Sequence, residues 1–206
     1  MQKMCSILLS LSMMTLLIVP VQADSTNNSL ETMNSYDFQE KTESERIALV
    51  KEEARVKWGL DSTEGINVYS ESNISDAKSY IQTRGTTYLG SQTKYIRMGR
   101  VGNQLPNGVS SNYGGELYWQ DGGSTIAVTF AIKASIFSVG VSIGNKVKSS
   151  EYRANYPAGG RYVLHANKEV RVKRYYVERY QGAGVWYRDY LNVQELLGVD
   201  LFAIRV

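Results

Sequence analysis

The feature that most constrains this sequence is a succession of short segments in which apolar and polar residues alternate, separated by glycine-containing turns. The turns include Gly122-Gly123, Gly159-Gly160 and the Asn-Gly pair at 107–108. Alternation with a period of two places one residue set on each face of a β-strand, and closely spaced glycine turns join antiparallel neighbours. The sequence therefore predicts a mainly β fold, an antiparallel β-sandwich or a barrel-like sheet. Strands are predicted near 66–70, 86–90, 93–101, 115–121, 124–144, 161–167, 169–180, 184–192 and 201–206, with a helical turn at 192–198.

Before this β-rich domain, assigned to 61–206, one segment has helical periodicity. Thr42 and Glu45 form a capping-box pattern, and Gly59 is placed to end the helix. The apolar stripe of the expected amphipathic α-helix consists of Ile47, Val50, Ala54 and Trp58. The polar residues 24–41 predict an irregular leader, and a second, short helix is expected at 73–83. The acidic leader and amphipathic helix (24–60) are assigned as a separate segment before this domain; the apolar stripe is expected to pack on a core, and a removable pro-segment is the alternative.

The N-terminus has the pattern of an export signal. Lys3 precedes an uncharged run at 6–19, and Ala23 supplies a small residue at a cleavage position. Pro20 ends the run before it reaches the length of a membrane-spanning helix, so no integral membrane anchor is expected. We therefore predict a signal peptide at 1–23, cleaved after Ala23, and a secreted protein. Cys5 lies within the signal, so the mature chain would have no disulfide, cysteine–zinc site or thiolate nucleophile.

Charge is distributed unequally along the chain. Residues 24–83 contain twelve acidic and six basic side chains, whereas 84–206 contain sixteen basic and eight acidic ones. Such a division suggests that the acidic N-terminal part lies against the basic body, or that the basic body meets an anionic partner. Solvated surfaces of both signs are the simpler alternative.

The basic, tyrosine-rich segment 161–190 is the strongest candidate for a binding surface. Alternation along 170–180 places Arg171, Lys173, Tyr175 and Arg179 on one face, and 185–191 is expected to return as the partner strand after a Gly-rich turn. Regularly spaced cations can bind the repeated charges of a polymer, and aromatic rings can stack on sugars. The predicted binding residues are Arg171, Lys173, Tyr175, Arg179, Trp186 and Arg188. An anionic cell-wall polymer, a polysaccharide or a lipid surface fits an exported protein better than nucleic acid. Cations that merely protect a strand edge are the structural alternative.

Segment 125–144 carries a second functional hypothesis. Its apolar set changes phase, from Ile126, Val128 and Phe130 to Phe137 and Val139, which predicts a bulge or tight turn near 135–137. The residues that alternate with them are mostly Ser, Thr, Ala and Gly. The segment is interpreted as ordinary sheet structure. The alternative interpretation is a membrane-inserting hairpin of a pore-forming or antimicrobial toxin.

Catalytic and metal-binding patterns receive little support. Residues 140–144 match the G-x-S-x-G pattern around Ser142, but no helix pattern follows, and the single histidine, His165, comes soon afterwards in a predicted strand. One histidine cannot form a histidine-rich metal site, and the carboxylates have no spacing that selects a catalytic pair. We therefore expect no catalytic residues, no metal site and no cofactor. The sequence favours a non-catalytic binding module.

Overall fold

A computed structural model describes residues 30–73, 88–148, 151–182 and 184–206. The predicted signal peptide at 1–23, most of the predicted short helix at 73–83 and part of the predicted strand near 86–90 lie outside these residues. The fold is mainly β and is organised around a curled antiparallel sheet with the shape of a half-barrel. The prediction of a mainly β, antiparallel protein is therefore confirmed.

The described elements follow one another in a simple order along the chain. One helix, α1, comes between the first two strands, and all other elements are strands. Their bounds are β1 Leu30–Asp37, α1 Glu43–Trp58, β2 Asn67–Tyr69, β3 Gly90–Arg100, β4 Gly115–Gln120, β5 Thr125–Ile132, β6 Ser135–Ser142, β7 Asn145–Lys146, β8 Arg153–Tyr156, β9 Tyr162–Gln181 and β10 Val185–Arg205.

Two long strands, β9 and β10, form an antiparallel ribbon at the centre of the main sheet. They stay paired from Val185↔Gln181 to Arg205↔Tyr162. The prediction of several shorter strands is wrong here, and so is that of a helical turn at 192–198. That stretch keeps its ladder with β9, and a bulge between Leu196 and Gly198 absorbs the irregularity that the sequence pattern suggested.

The main sheet has the strand order β1-β10-β9-β2, and β3 also pairs with β9. β1 lies where the sequence predicted an irregular leader, and it pairs antiparallel with the C-terminal half of β10, with Tyr36 opposite Val199. Polar residues fit this strand because side chains alternate between exposed and half-buried positions from Met33 onward. Strand formation here depends on a partner distant in sequence.

Two small sheets lie outside the main one. β7, β4 and β8 form a three-stranded sheet, and β5 and β6 form a two-stranded hairpin. The hairpin turn falls at 133–134, two residues before the predicted 135–137. Lys133 has φ 50° there, a left-handed conformation that a two-residue hairpin turn can require of a residue other than glycine.

Helix α1 begins and ends at recognisable capping residues. Thr42 and Glu45 form the capping box, and Gly59 ends the helix with φ 64°. Val50 and Ala54 are fully buried against the ribbon residues Tyr175 and Val177. Within the described residues, no helix has the length and apolar character needed to cross a membrane. The helix thus covers part of one face of the β9–β10 ribbon.

Candidate functional site

The β9–β10 ribbon has two faces of different character. Side chains alternate along each strand, and residues directly opposite one another in the ladder point to the same side. Arg179 lies opposite Tyr187, whereas Trp186 lies opposite Tyr180 and Arg188 opposite Glu178. We call the face with Arg171, Lys173, Tyr175 and Arg179 the covered face, and the face with Arg174, Tyr176, Tyr180, Trp186, Arg188 and Tyr190 the open face.

Two carboxylates, one just before helix α1 and one at its first residue, neutralise two of the three predicted cations on the covered face. Arg171 is ion-paired with Glu40, and the Lys173 ammonium lies 2.5 Å from Glu43. The Tyr175 hydroxyl donates to the same Glu43 carboxylate at 3.3 Å, and the Tyr175 side chain is completely buried. Because the capping box fixes the first turn of α1, Glu43 is held directly over the ribbon. These three predicted binding residues are therefore used inside the molecule.

The protonation states on the covered face support these pairs. Burial raises the pKa of Glu43, but the hydrogen bond and charge of Lys173 outweigh it, so that its pKa is lowered overall. Burial, together with the nearby Glu43 charge, raises the pKa of Tyr175 far above its usual value. Tyr175 thus stays a hydrogen-bond donor and Glu43 an acceptor. Beside them Arg46 makes two contacts of 3.0 Å with the buried Glu195 carboxylate.

Arg179 differs from the other members of the covered face. It is half-buried beside Gly65, near the end of the ribbon. Among the described residues, no carboxylate lies within ion-pairing distance of Arg179. Of the three predicted cations on this face, only Arg179 has no carboxylate partner among the described residues.

The open face presents aromatic rings and arginines toward solvent at the end of the ribbon. Tyr180 is 55% exposed and Trp186 is 46% exposed, and their ring centroids are 4.7 Å apart. The exposed Arg188 guanidinium lies over the Trp186 ring at 4.9 Å. Such a stacked arginine keeps its hydrogen-bond donors available at the edges of its plane.

Further from the end, the open face continues as a row of tyrosines. The rings of Tyr176 and Tyr190 are 5.3 Å apart, and the hydroxyls of Tyr176 and Tyr69 each donate to Glu178 at 3.3 Å. Burial, with the Glu178 charge, raises the pKa of Tyr176 to about 12. The Arg174 guanidinium follows, 4.9 Å from the centre of the Tyr190 ring. The tyrosines are consequently neutral donors in a fixed arrangement.

The six residues predicted from the sequence are therefore not brought together on one surface. Arg171, Lys173, Tyr175 and Arg179 do share one face, but it is not the free cationic surface that was expected, because α1 covers Tyr175 and pairs with Lys173, and Glu40 pairs with Arg171. Trp186 and Arg188 lie on the opposite face. Sequence reasoning did not include Arg174, Tyr176, Tyr180 and Tyr190, which the structure places on the same face as Trp186 and Arg188. The only available signal was the charge asymmetry, which indicated that acidic residues of the N-terminal part could cover a basic face.

Ser142, the centre of the G-x-S-x-G pattern, lies at the end of strand β6. Its hydroxyl donates to Asp121, and the Lys168 ammonium lies 2.5 Å from the same carboxylate and 3.2 Å from the Ser142 oxygen. The arrangement holds the β5–β6 hairpin against the sheet.

Comparisons with protein families, with curated proteins and with solved structures find no match to this chain.

Proposed function

We propose that this protein is a secreted, non-catalytic binding module for an anionic extracellular or cell-envelope partner, and that the open face of the ribbon is its binding surface. The observation that carries the proposal is the exposed group of Tyr180, Trp186 and Arg188, in which an arginine without a carboxylate partner in the described structure is stacked on an exposed aromatic ring. A cation beside a flat apolar surface can bind an anionic group and the ring that carries it.

Charge balance supports the choice of this face. On the covered face, two of the predicted cations are already paired with Glu40 and Glu43. An external anion would have to displace those carboxylates and the helix start that holds them. Arg188 needs no such displacement. The export pattern at 1–23 supports an extracellular location for the partner.

The proposal predicts that substitution at the end of the ribbon weakens binding without unfolding the protein. For the double variant Trp186→Ala/Arg188→Ser, we expect the dissociation constant for purified anionic cell-wall polymer to rise at least about tenfold, because stacking and ion pairing are both lost. Wild-type binding should weaken as salt increases, since exposed charges are screened. Affinity electrophoresis at several salt concentrations measures both effects.

A matched control is available on another strand. Arg97 on β3 is exposed like Arg188 but lies away from the aromatic rings of the open face. Arg97→Ser should leave binding nearly unchanged. Equal losses for Arg97→Ser and the double variant would indicate a general charge effect and would contradict a defined surface.

The β5–β6 hairpin supports a second candidate, a membrane-active toxin that uses 125–144. In the described structure β5 and β6 pair only with each other. Their apolar residues, including Phe130 and Val141, pack on Val170 and Val172 of β9, and the opposite face carries small residues such as Ala127 and Ser138. The hairpin could therefore leave the body without breaking a ladder to another strand.

Dye release from vesicles separates the two candidates. The binding-module proposal predicts no release from phosphatidylglycerol vesicles at submicromolar protein, because the apolar face of the hairpin is used in the core. Release at that concentration would support membrane insertion instead. A variant with Ser138→Arg on the outward face is the control: its added charge should change release only if the hairpin inserts.

A further inference from the structure

Arg174 occupies an unusual position on the open face. Its guanidinium lies between two rings, 4.6 Å from the centre of Phe137 and 4.9 Å from that of Tyr190. Phe137 comes from the β5–β6 hairpin and Tyr190 from β10, so two different parts of the fold enclose one half-buried arginine. This enclosure orients the plane of the guanidinium and limits the directions in which its N–H groups can donate.

The hydrogen bonds of Arg174 are incomplete. Its Nη1 donates to Asn192 Oδ1 at 3.4 Å, while its Nε is buried and has no partner in the described structure. No carboxylate of the described residues is ion-paired with it. A buried charged donor without an acceptor destabilises a fold. The lowered pKa of Arg174, caused first by burial, is consistent with an unbalanced charge.

We propose that Arg174 is an anion-binding subsite of the open face, and that the partner is an acidic polysaccharide whose chain runs along the ribbon from Arg174 to Arg188. This inference rests on the proposed function and makes the ligand class specific. An oxyanion of the polymer accepts hydrogen bonds from the Arg174 guanidinium. Sugar rings of the same chain stack on Tyr190 and Tyr176, and a second anionic group meets Arg188 beside Trp186.

The spacing along the ribbon favours a polymer over a lipid surface. Arg188 lies opposite Glu178, four residues along β9 from Arg174, which corresponds to about 14 Å along the strand. The Tyr176–Tyr190 pair lies between the two arginines. Charge and flat apolar surface thus alternate along a line, as they do in a chain of acidic sugars. A flat layer of lipid head groups would instead meet the exposed Tyr180 and Trp186 and leave Arg174, recessed between its two rings, without a contact.

The test compares Arg174→Met and Arg174→Lys in the full mature chain, with polygalacturonate as the anionic probe and dextran as the uncharged one. We expect Arg174→Met to weaken binding of polygalacturonate at least about tenfold. Arg174→Lys should recover part of the affinity, because the charge is kept but the planar donors are lost. Removing a guanidinium with an unsatisfied donor should leave the melting temperature unchanged or raise it, whereas a structural arginine would lower it on substitution.

The outcomes separate the inference from the proposed function. If Trp186→Ala/Arg188→Ser weakens binding of polygalacturonate and Arg174→Met does not, the open face stands and the Arg174 subsite is overturned. If neither variant affects binding, both are overturned. Binding to phosphatidylglycerol vesicles without binding to polygalacturonate would overturn the inference that the partner is an acidic polysaccharide, and it would identify a lipid surface as the partner. Weaker binding accompanied by a lower melting temperature for both Arg174 variants would assign the residue a structural role and overturn the subsite.

Discussion

A chain that begins at Asp61 is expected to lose cooperative folding, although it keeps nine of the ten described strands. The deletion removes Val50 and Ala54, which are completely buried against the covered face. Each fully buried aliphatic side chain of the size of valine contributes about 1.5–3 kcal/mol, against a total stability of about 5–15 kcal/mol for a typical domain. The deletion also exposes β10 along the edge that β1 covers.

Thermal unfolding followed by circular dichroism tests this prediction. Chains beginning at Asp24 and at Asp61 should be compared under the same conditions, and only the longer one is expected to show a sharp transition. A sharp transition in the shorter chain would mean that 24–60 is a removable pro-segment. In that case Arg171 and Lys173 would become available for binding, and the covered face would have to be reconsidered.

The second large effect is expected at Asp121, the carboxylate partner of a buried lysine. The Lys168 side chain is only 2% exposed, and its ammonium lies 5.1 Å from the centre of the Trp119 ring. Asp121→Ala would leave this charge in the interior without a counter-ion. Breaking a fully buried pair destabilises a protein by about 3–5 kcal/mol. Because the Asp121 side chain is 54% exposed and water can reach the site, we expect a loss of about 2 kcal/mol.

A double substitution shows whether the buried charge causes the loss. Lys168→Met keeps the length of the side chain and removes its charge, so it should be nearly neutral, and Asp121→Ala/Lys168→Met should be more stable than Asp121→Ala alone. Urea unfolding of the four proteins gives the comparison. A double variant less stable than Asp121→Ala would contradict the account, because the loss would then come from packing at both sites.

The same pair predicts a dependence on pH. Burial raises the pKa of Asp121, but hydrogen bonds from Lys168 and Ser142 outweigh it, so the pKa is lowered overall. A carboxyl whose pKa is lower in the folded than in the unfolded state stabilises the fold at neutral pH. This contribution is lost as the pH falls below about 4, through the pKa of the folded state. Asp121→Ala should therefore show less acid destabilisation than wild type.

Local signals were sufficient to predict the helix caps and the approximate positions of most strands, but not that β9 and β10 are each continuous. Thr42, Glu45 and Gly59 act through neighbours a few residues away, so their roles can be deduced from the sequence pattern. Alternation likewise identified β5 and β6 and their apolar face. The turn between them was misplaced, because a left-handed Lys133 leaves no glycine or Asn-Gly signal.

The open face could not be predicted, because it depends on contacts between distant segments. Both faces of the ribbon carry arginines and tyrosines, so alternation alone does not distinguish them. Glu43 and Val50 of α1 determine which face of the ribbon is covered, and they lie more than a hundred residues before their ribbon partners. For the same reason β1 has no strong strand pattern of its own: it forms where β10 offers an edge.

The central claim, that the open face rather than the covered face binds the partner, is tested most directly by neutralising one arginine on each. Arg188→Ser and Arg171→Ser each remove one positive charge, and their retention on the same immobilised anionic polymer can be compared at one salt concentration. We predict that Arg188→Ser elutes much earlier than wild type, while Arg171→Ser, which loses internal contacts with Glu40 and Thr93, elutes close to wild type. Early elution of Arg171→Ser with normal retention of Arg188→Ser would contradict the claim.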